Sequence, residues 1–507
     1  MGWNKERLQE VAHSRLAGAK LIMVVNREPY IHLHQKERIH WIRPAGGLTT
    51  ALDPVMQACG ALWVAHGSGD ADQEVSDAKG RIGVPPDDPR YTLKRIWLTL
   101  NEEKGYYYGF ANSSLWPLCH QVYSRPTFDP DHWDIYRRVN HKFAESILEE
   151  VGNEPALVFV QDYHFALLPK ILKDARPDLV VAQFWHIPWP SPEVFRVCPW
   201  YQEIIEGMLG NDLLAFHIQN HCNNFLDTVD RTLECRLDWE HFSVLRNGHT
   251  TRVRPHPISV DPTLSEEYLD QDWQIRARQF RDKYQLGDRK LIVGVDRLDY
   301  TKGIPERLRA VDRLLMTHPE WVENFHFVQI AAPSRTLLDA YQSLTQEVQT
   351  LVDEINLRYG SSHWQPVLFL NEHLGPEDVA VLYRMSEGCV VSSLHDGMNL
   401  VAKEFVCARS DEQGVLVLSE FTGAARELTD AIIVNPYDVS QLSDGMHSIL
   451  TMPAAEQSKR MKKMRAEVQD KNIYRWAGML LSEALKLVES TPSENLEKES
   501  LSTEFAA

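Results

Sequence analysis

Two cations stand close together where a predicted buried strand ends. The run Asp296 to Gly303 (DRLDYTKG) directly follows the apolar segment Lys290 to Val295. Because Arg can contact two oxygens at once and Lys acts as a compact charge, Arg297 and Lys302 could together hold a diphosphate. The alternative is a surface ion pair, such as Arg297 with Asp299. Cations at a strand end in a chain of formal charge −18 favour the anionic ligand.

A second segment with the same placement follows the apolar run CVVSS. The run His395 to Glu404 (HDGMNLVAKE) is typical of a helix entry, where the first N–H groups have no partner inside the helix and can hold phosphate. Asp396 would then lie in a cleft and could bind a sugar hydroxyl. Glu404, two turns further on, could bind a ribose diol. The two segments predict a pocket for a phosphate-bearing ligand that also carries sugar hydroxyls.

Polar residues follow the predicted strands of the first half as well. Arg27 ends the first strand, and in the loop RPAGGL the pair Gly46-Gly47 could let backbone N–H groups approach an anion before a helix that begins near Thr49. A tight turn is the alternative for that glycine pair. Asp162 follows ALVFVQ, and His186 follows VVAQFW. Since ligands of open parallel sheets bind beyond the carboxyl ends of the strands, we expect these groups to converge on one cleft.

Short β-branched runs that alternate with helical patterns predict parallel strands joined by crossover helices. We expect strands at Lys20–Val25, Ala156–Val160, Leu179–Phe184 and Asp212–Phe216, then at Lys290–Val295, Phe325–Ile330, Pro366–Leu370, Cys389–Ser392, Val415–Ser419 and Ala431–Val434. The restart of the pattern in the second half indicates two doubly wound α/β domains.

The domain boundaries follow from the same pattern. We expect an N-terminal extension (1–19), an N-terminal domain (20–255), a C-terminal domain (256–470), a helix that could cross back to the first domain (471–488) and a disordered tail (489–507). The proline-rich stretch Val253 to Pro262 is the expected linker. The tail is rich in Ser and Glu and poor in apolar residues.

Composition excludes several classes of protein. A net charge of −18 argues against a general binder of nucleic acid or of anionic membranes, and the sequence predicts neither a signal peptide nor a membrane span, so we expect a cytoplasmic protein. The seven scattered cysteines predict reduced, buried thiols. The stretch containing His32, His34 and His40 is expected to be a surface loop, because it has no carboxylate or Cys at ligand spacing; no metal site is predicted.

The motifs, taken together, resemble those of trehalose-6-phosphate synthases, which are retaining glycosyltransferases with the GT-B fold. The resemblance extends from about Lys20 to about Val488 and rests on RPAGGL, YYYGFANSSLWP, VQDYHFALLP, FWHIPWPSPEVF, RLDYTKGIPERL and DGMNLVAKEF. It implies two doubly wound Rossmann-like domains that face each other across a cleft. It also implies transfer of glucose from a nucleotide-glucose to a phosphorylated acceptor with retention of anomeric configuration. No metal or other cofactor is implied, because the nucleotide-glucose is itself a substrate.

The resemblance also assigns roles to individual residues. Those implied to contact the donor diphosphate are Gly47, Arg297, Lys302, Asn399, Leu400 and Val401, with Glu404 at the ribose and His186 and Asp396 at the donor sugar. Those implied for the acceptor pocket are Arg27, Tyr107, Trp116, Asp162 and Arg335. Arg297, Lys302, His186 and Asp396 are the predicted catalytic group, since an oxocarbenium-like transition state needs its leaving diphosphate stabilised.

Two departures from the family pattern bear on the substrates. An acceptor-facing Trp of the family is replaced here by His66, in Trp63-Val-Ala-His66-Gly-Ser-Gly, and the usual Arg before DGMNL is His395. The opening VVNREPY resembles glucosylglycerol-phosphate synthases, so glycerol 3-phosphate is the alternative to glucose 6-phosphate as acceptor. The nucleobase is left open.

Other classes of function remain as alternatives. One is a regulatory protein that has kept the fold but lost catalysis, although Arg297, Lys302, Asp396 and Glu404 are all retained. Another is a phosphorylase-like enzyme with a Lys-bound pyridoxal phosphate. Expected partners are small-molecule substrates, with a second copy of the chain and a downstream phosphatase as candidate protein partners.

Overall fold

A ten-stranded sheet is formed by the first half of the chain in the computed structural model, which describes residues 2–16, 18–44, 47–269 and 272–489. Its strands are β1 (Lys20–Arg27), β4 (Leu62–His66), β5 (Arg81–Val84), β6 (Tyr91–Ile96), β7 (Ala156–Gln161), β8 (Val180–Phe184), β9 (Leu213–Phe216), β10 (Arg236–Asp238), β11 (Ser243–Arg246) and β12 (His249–Pro255). They lie in the order β10-β11-β12-β9-β8-β7-β1-β4-β6-β5. The pairs from β12 to β6 are parallel, and the edge strands pair antiparallel.

A six-stranded parallel sheet is formed by the second half. Its strands are β13 (Lys290–Arg297), β14 (Phe325–Ala332), β15 (Val367–Leu370), β16 (Gly388–Val391), β17 (Val415–Ser419) and β18 (Ile432–Val434), in the order β15-β14-β13-β16-β17-β18. Every strand predicted from the sequence is present, with ends shifted by at most two residues. The predicted α/β class with two doubly wound sheets is therefore confirmed.

Helices cover the faces of both sheets, because nearly continuous apolar strands must be buried on each side. In the first half they are α1 (Lys5–Leu16), α2 (Gly47–Cys59), α3 (Asp72–Val75), α4 (Leu100–Glu103), α5 (Trp116–His120), α6 (Pro130–Val151), α7 (Leu168–Ala175), α8 (Pro192–Phe195), α9 (Tyr201–Met208) and α10 (Gln219–Asp230). In the second half they are α11 (Pro262–Tyr268), α12 (Trp273–Lys283), α13 (Ile304–Thr317), α14 (Asp339–Tyr359), α15 (Pro376–Met385), α16 (Leu400–Ala408), α17 (Val439–Thr451), α18 (Ala454–Asp470) and α19 (Ile473–Glu489).

Each sheet reverses its strand order once. In the first sheet the chain proceeds from β1 through β4 to β6 and then returns to place β7 on the other side of β1. In the second it proceeds from β13 through β14 to β15 and then places β16 on the other side of β13. Such a reversal opens a crevice beyond the carboxyl ends of the two strands that flank it. Arg27, Asp162, Arg297 and Asp396 all lie at these strand ends.

The last helix, α19, returns to the first sheet. The indole of Trp476 packs against Phe159 of β7 and Phe184 of β8, with ring centroids 5.9 and 5.2 Å apart. Its Nε1–H donates to the carbonyl of His256 at 3.2 Å, and the N–H of Ile473 donates to the carbonyl of Val260 at 3.1 Å. The helix therefore seals the first sheet and crosses the segment that leads into the second.

Two local predictions were wrong. The expected linker begins inside the first sheet, because Val253 to Pro255 form the end of β12. The His-rich stretch is an antiparallel hairpin of β2 (Ile31–Gln35) and β3 (Arg38–Ile42), in which His32 is buried and its N–H donates to Asp72 Oδ1 at 2.9 Å. The helix expected near Thr49 already begins at Gly47; Gly46 lies outside the described residues.

Two predictions from composition, on the cysteines and on membrane helices, can be compared with the described residues. All seven cysteines are free thiols, of which Cys59 and Cys235 are half-buried and the others buried. Within the described residues no helix is long and apolar enough to cross a membrane. The predicted disordered tail, apart from the backbone of Glu489, lies outside the described residues.

Candidate active site

One cavity of about 440 Å³ lies between the carboxyl ends of the two sheets. It brings together every site residue predicted from the sequence except His66; these are Arg27, Gly47, Tyr107, Trp116, Asp162, His186, Arg297, Lys302, Arg335, Asp396, Asn399, Leu400, Val401 and Glu404. The convergence of residues so distant in sequence on one crevice follows from the two strand-order reversals.

One end of the cavity is dominated by guanidinium groups. We call it the arginine end and define it by Arg27, Arg335, Tyr107, Trp116 and Asp162. Arg335 lies over the Trp116 ring, 4.0 Å from its centroid. On the opposite wall Arg27 Nη2 donates to the Tyr107 hydroxyl at 2.8 Å. These contacts place two permanent positive charges in an enclosed space of an acidic protein.

Arg335 is positioned by buried partners. It is 7 % exposed, and its Nη1 lies 3.0 Å from Asp299 Oδ2, while its Nη2 donates to the Tyr163 hydroxyl at 3.2 Å. Its Nη1 also donates to the hydroxyl of Tyr341, which accepts it beside Asp299. Its backbone has φ of +48°, an uncommon conformation for a side-chain-bearing residue. This pairing fixes the guanidinium before any ligand arrives.

The charges at the arginine end shift the pKa of its other groups. Burial would raise the pKa of Tyr107, but the fields of Arg27 and Arg335 outweigh burial and lower it to about 7. Burial dominates at Asp162 and raises the pKa of its carboxyl to about 7, although that carboxyl accepts the His186 N–H at 3.1 Å. Both groups therefore titrate near neutral pH.

The other end of the cavity is built from helix N-termini. We call it the helix end and define it by Gly47, Lys302, Asn399, Leu400 and Glu404. Gly47 begins α2 and Leu400 begins α16, and a Cβ on Gly47 would lie 3.2 Å from Leu400 Cδ1. The free N–H groups and the positive dipole ends of two helices thus meet across the cleft, which suits an anion.

Asn399 fixes the entry of α16. Its side-chain oxygen accepts the N–H of Ala402 at 3.0 Å, which satisfies one of the free donors of the first turn. Its side-chain nitrogen donates to Asp396 Oδ2 at 3.2 Å. Its φ of +77° is the left-handed conformation that Asn tolerates better than most residues. Asn399 therefore links the helix terminus to the acidic group beside it.

Lys302 and Asp396 form an ion pair across β13 and β16. Lys302 Nζ lies 2.5 Å from Asp396 Oδ2. Burial would raise the pKa of Asp396, but the Lys302 charge outweighs it and lowers that pKa to about 2. Asp396 is therefore a carboxylate at neutral pH. Arg297 lines the same cavity and lies 5.7 Å from the centroid of the Trp116 ring, which Arg335 also covers.

Burial shifts the pKa values of two further predicted residues in opposite directions. Burial lowers the pKa of His186 to about 3, so its ring is neutral, and its Nε2 lies 2.8 Å from Gln161 Oε1. Burial raises the pKa of Glu404 to about 7. A neutral imidazole and a carboxyl that titrates near neutrality both suit hydrogen bonding to hydroxyl groups.

His66 lies outside the cavity lining. It ends β4, where it pairs in register with Arg27 of β1. Burial lowers its pKa to about 4. His66 was implied as an acceptor residue because it replaces a Trp of the resembled family, but the structure places Arg27 and not His66 on the cavity wall.

Several cavity residues were missed from the sequence. Gln161, Tyr163, His164, His217 and Tyr383 all line the cavity and are buried. Gln161 and the pair Tyr163 and His164 flank Asp162, so the strand-end rule could have found them. His217 follows β9 in the same way. Tyr383 lies inside a helix, where nothing in the sequence distinguishes it from a core residue.

Two Rossmann-like units of the GT-B fold that face each other across a cleft lined by arginine side chains and helix N-termini are typical of a glycosyltransferase. A family model described as "Glycosyltransferase family 20" matches residues 19–486. The chain belongs to glycosyltransferase family 20, as the sequence motifs predicted.

Relatives and solved structures agree with this assignment. The trehalose-6-phosphate synthase of Mycobacterium ulcerans is 36 % identical over 513 residues, covering 98 % of this chain and 99 % of the relative. That of Mycobacterium tuberculosis H37Rv is 38 % identical over 452 residues, covering 87 % of this chain and 89 % of the relative.

Two solved structures are similar over nearly their whole length. An alpha,alpha-trehalose-phosphate synthase (UDP-forming) from Burkholderia xenovorans, in complex with glucose-6-phosphate, has a TM-score of 0.82 and 30 % identity, covering 92 % of this chain and 100 % of that one. A structure from E. coli bound with UDP-2-fluoro glucose has a TM-score of 0.82 and 30 % identity, covering 92 % and 99 %.

Proposed function

We propose that the protein transfers glucose from UDP-glucose to glucose 6-phosphate, giving α,α-trehalose 6-phosphate and UDP with retention of the anomeric configuration. The observation that carries the proposal is that one cavity is lined both by the guanidinium groups of the arginine end and by the helix N-termini of the helix end. Reaction between a nucleotide diphosphate sugar and a sugar phosphate needs two anion sites. The similar structures hold glucose-6-phosphate and a UDP-glucose analogue, which supports this pairing of substrates.

The helix end would hold the donor diphosphate. When the bond between the anomeric carbon and the diphosphate oxygen breaks, negative charge grows on the leaving diphosphate. The N-termini of α2 and α16, together with Lys302 and Arg297, are placed to stabilise it. Glu404 on α16 would bind the ribose hydroxyls.

The arginine end would hold the acceptor phosphate. Arg27 and Arg335 can each contact a phosphate through two N–H groups, and Tyr107 and Trp116 would pack against the sugar. A new bond then forms between the acceptor hydroxyl oxygen and the anomeric carbon, on the face that the diphosphate leaves. The hydroxyl proton passes to an oxygen of the leaving diphosphate, so no separate carboxylate base is required.

The groups between the two ends would hold the transferred sugar. Asp396 is ionised and can accept hydrogen bonds from sugar hydroxyls, and the neutral His186 can do so at a ring nitrogen. Neither needs to form a covalent bond to the sugar. The proposed chemistry is therefore one of positioning and charge stabilisation.

We further propose that the reaction needs no metal and no other cofactor. Lys302, Arg297 and two helix N-termini supply positive charge where the diphosphate would lie. Within the described part of the chain one group of candidate ligands, His318, Glu320 and His447, could approach a single ion. None of them lines the cavity. The His318 and His447 rings are stacked 3.8 Å apart, so both cannot direct an in-plane lone pair at one ion without rotating.

The location and partners of the protein remain proposals from the sequence. We propose a cytoplasmic enzyme that self-associates and whose phosphorylated product is consumed by a phosphatase. Light scattering of the purified chain would test self-association, and a single-chain mass would contradict it.

A product assay tests the main proposal. UDP-, ADP- and GDP-glucose are each combined with glucose 6-phosphate or glycerol 3-phosphate, and the nucleoside diphosphate and the product mass are measured. We expect trehalose 6-phosphate with UDP-glucose and glucose 6-phosphate. A glucosylglycerol phosphate would instead assign the alternative acceptor, and no product from any pair would support the non-catalytic alternative.

A further inference from the structure

The side-chain amide of Gln161 has a hydrogen-bond partner in the described residues for its oxygen but not for its nitrogen. Gln161 is the last residue of β7, is fully buried and lines the cavity. Its amide oxygen accepts a hydrogen bond from His186 Nε2–H at 2.8 Å. Its amide nitrogen has no hydrogen-bond partner among the described residues. A buried hydrogen-bond donor without a partner costs roughly 1–3 kcal/mol of folding free energy, so such a donor in a native site requires an explanation.

The bond to the amide oxygen determines which nitrogen of His186 is free. Because Nε2 carries the proton that Gln161 accepts, the neutral ring has its lone pair on Nδ1. The imidazole can therefore accept a hydrogen bond at Nδ1, while its Nε2–H is already donated to Gln161. Loss of Gln161 would let the ring rotate or exchange tautomers.

The backbone of His186 is held from both sides of the cleft. Its N–H donates to Asp162 Oδ1 at 3.1 Å, and His217 Nε2–H donates to its carbonyl at 3.0 Å. A Cβ on Gly397 would lie 2.1 Å from that carbonyl, so the loop that carries Asp396 abuts it directly. Gln161 thus acts on a residue whose backbone is fixed next to the proposed sugar site, and only the ring orientation is left to the side-chain partner.

We propose that Gln161 is a direct ligand of the transferred glucose and a positioning residue for His186. Its free amide N–H donates to one hydroxyl of the donor sugar, and its amide oxygen holds His186 so that Nδ1 accepts a hydrogen bond from the same sugar. This inference rests on the proposed function, because it names the sugar of the donor as the ligand.

The test measures dissociation constants by calorimetry without acceptor. The ligands are UDP, UDP-glucose and its four mono-deoxy analogues, and the proteins are the wild type and Gln161→Met, which keeps the volume but loses both hydrogen bonds. For the wild type we expect one analogue to bind about tenfold more weakly than UDP-glucose. For Gln161→Met we expect the dissociation constant of UDP-glucose to rise by about the same factor. The analogue that bound weakly to the wild type should then bind to this variant as tightly as UDP-glucose does, and the affinity for UDP should be unchanged.

Gln183 provides the matched control. It is a fully buried glutamine at the end of the neighbouring strand β8, but its amide nitrogen donates to the carbonyls of Asp162 and Phe165, and it does not line the cavity. Gln183→Met should keep the wild-type pattern of penalties. If Gln161→Met keeps the full penalty for every analogue, or weakens UDP as much as UDP-glucose, Gln161 is not a sugar ligand. If the wild type binds no UDP-glucose, the proposed function itself is wrong.

A second variant tests the positioning role. Gln161→Glu keeps an acceptor oxygen for His186 but makes it anionic, which stabilises the imidazolium and raises the His186 pKa. The neighbouring His164 and His217 stay neutral, because burial holds the pKa of each well below the usual value. We expect the kcat/KM of this variant relative to wild type to fall as the pH is lowered. A ratio that is constant with pH would mean that Gln161 has only a structural role.

Discussion

At the arginine end the positive charge is carried by the side chains of Arg27 and Arg335, whereas at the helix end much of it is carried by the backbone itself. Arg335 has φ of +48°, and Tyr107 lies in a π-helical segment, Lys104–Leu115. The helix end instead uses the first turns of α2 and α16. Side chains can be exchanged one at a time, but a helix N-terminus keeps its N–H groups whatever residues occupy it. Acceptor choice is therefore expected to be readily altered by substitution, whereas diphosphate binding is not, except at Lys302 and Arg297.

The largest effect is expected from removing Lys302. Lys302→Ala takes away the point charge at the leaving diphosphate and leaves Asp396 as an unpaired carboxylate, so we expect kcat to fall by about 10³-fold. Steady-state kinetics measure this. The control is Lys463→Ala, since Lys463 is largely exposed and paired with Asp430 at 2.9 Å. Near-normal turnover of Lys302→Ala would show that the helix termini suffice and that this lysine does not contact the diphosphate.

The second effect separates the two ends of the cavity. Arg335→Lys keeps a positive charge beside Asp299 but loses the bidentate geometry, so we expect the acceptor KM to rise by roughly 10- to 100-fold with the affinity for UDP-glucose unchanged. Acceptor titrations at saturating donor, together with calorimetry of the donor, give both numbers. A lower affinity for UDP-glucose with an unchanged acceptor KM would mean that Arg335 contacts the donor and not the acceptor.

A smaller effect is expected at the cap of α16. Asn399→Gly tolerates the φ of +77° but removes the bonds to the Ala402 N–H and to Asp396, so the free energy of unfolding should fall by about 1 kcal/mol. We expect the donor KM to rise only a few-fold, because the N–H groups remain. Thermal melts and donor titrations measure both. If Asn399→Gly raised the donor KM as much as Arg335→Lys raises the acceptor KM, the conclusion that backbone N–H groups bind the diphosphate would be wrong.

The smallest effect concerns Glu404 and pH. Burial raises the pKa of its carboxyl from 4.5 to about 7 in the folded protein, so the proton is bound more tightly when folded than when unfolded. The resulting stabilisation is complete below pH 4.5 and is lost as the pH rises through 7. Glu404→Gln should therefore melt above the wild type at pH 8 and close to it at pH 5. An equal difference in melting temperature at both values would contradict the raised pKa.

Much of this arrangement could be predicted from the sequence, because it depends on strand ends. Arg27, Asp162, Arg297 and Asp396 follow apolar runs, and the parallel-sheet rule places such residues in one crevice. The π-helical segment and the hairpin β2–β3 could not be predicted, since their periodicity and polarity resemble those of helix and loop. Nor could the exclusion of His66 from the cavity be predicted, since His66 pairs in register with Arg27, which does line the cavity.

The ion-pair partners inside the site could not be predicted from the sequence either. Arg297 was expected to pair with Asp299 if it bound no anion, but it is Arg335 that lies 3.0 Å from Asp299 Oδ2. Lys302 pairs with Asp396, which is distant in sequence and lies in the segment that follows β16. Such ion pairs follow from how β13 is flanked by β14 and β16, and that order is a property of the whole sheet.

The return of α19 to the first sheet has a consequence for synthesis on the ribosome. The strands of that sheet end at Pro255, but the helix that seals Phe159 and Phe184 spans Ile473–Glu489. At about 5–20 residues per second, the nascent first domain waits roughly 12 to 50 s with this apolar surface uncovered. Trp3 lies at the other end of the chain, and its carbonyl accepts a hydrogen bond from Asn472 Nδ2 at 2.7 Å. Two segments far apart in the sequence therefore complete the same part of the protein, and a chain released before α19 is made would expose an apolar surface for chaperones to bind.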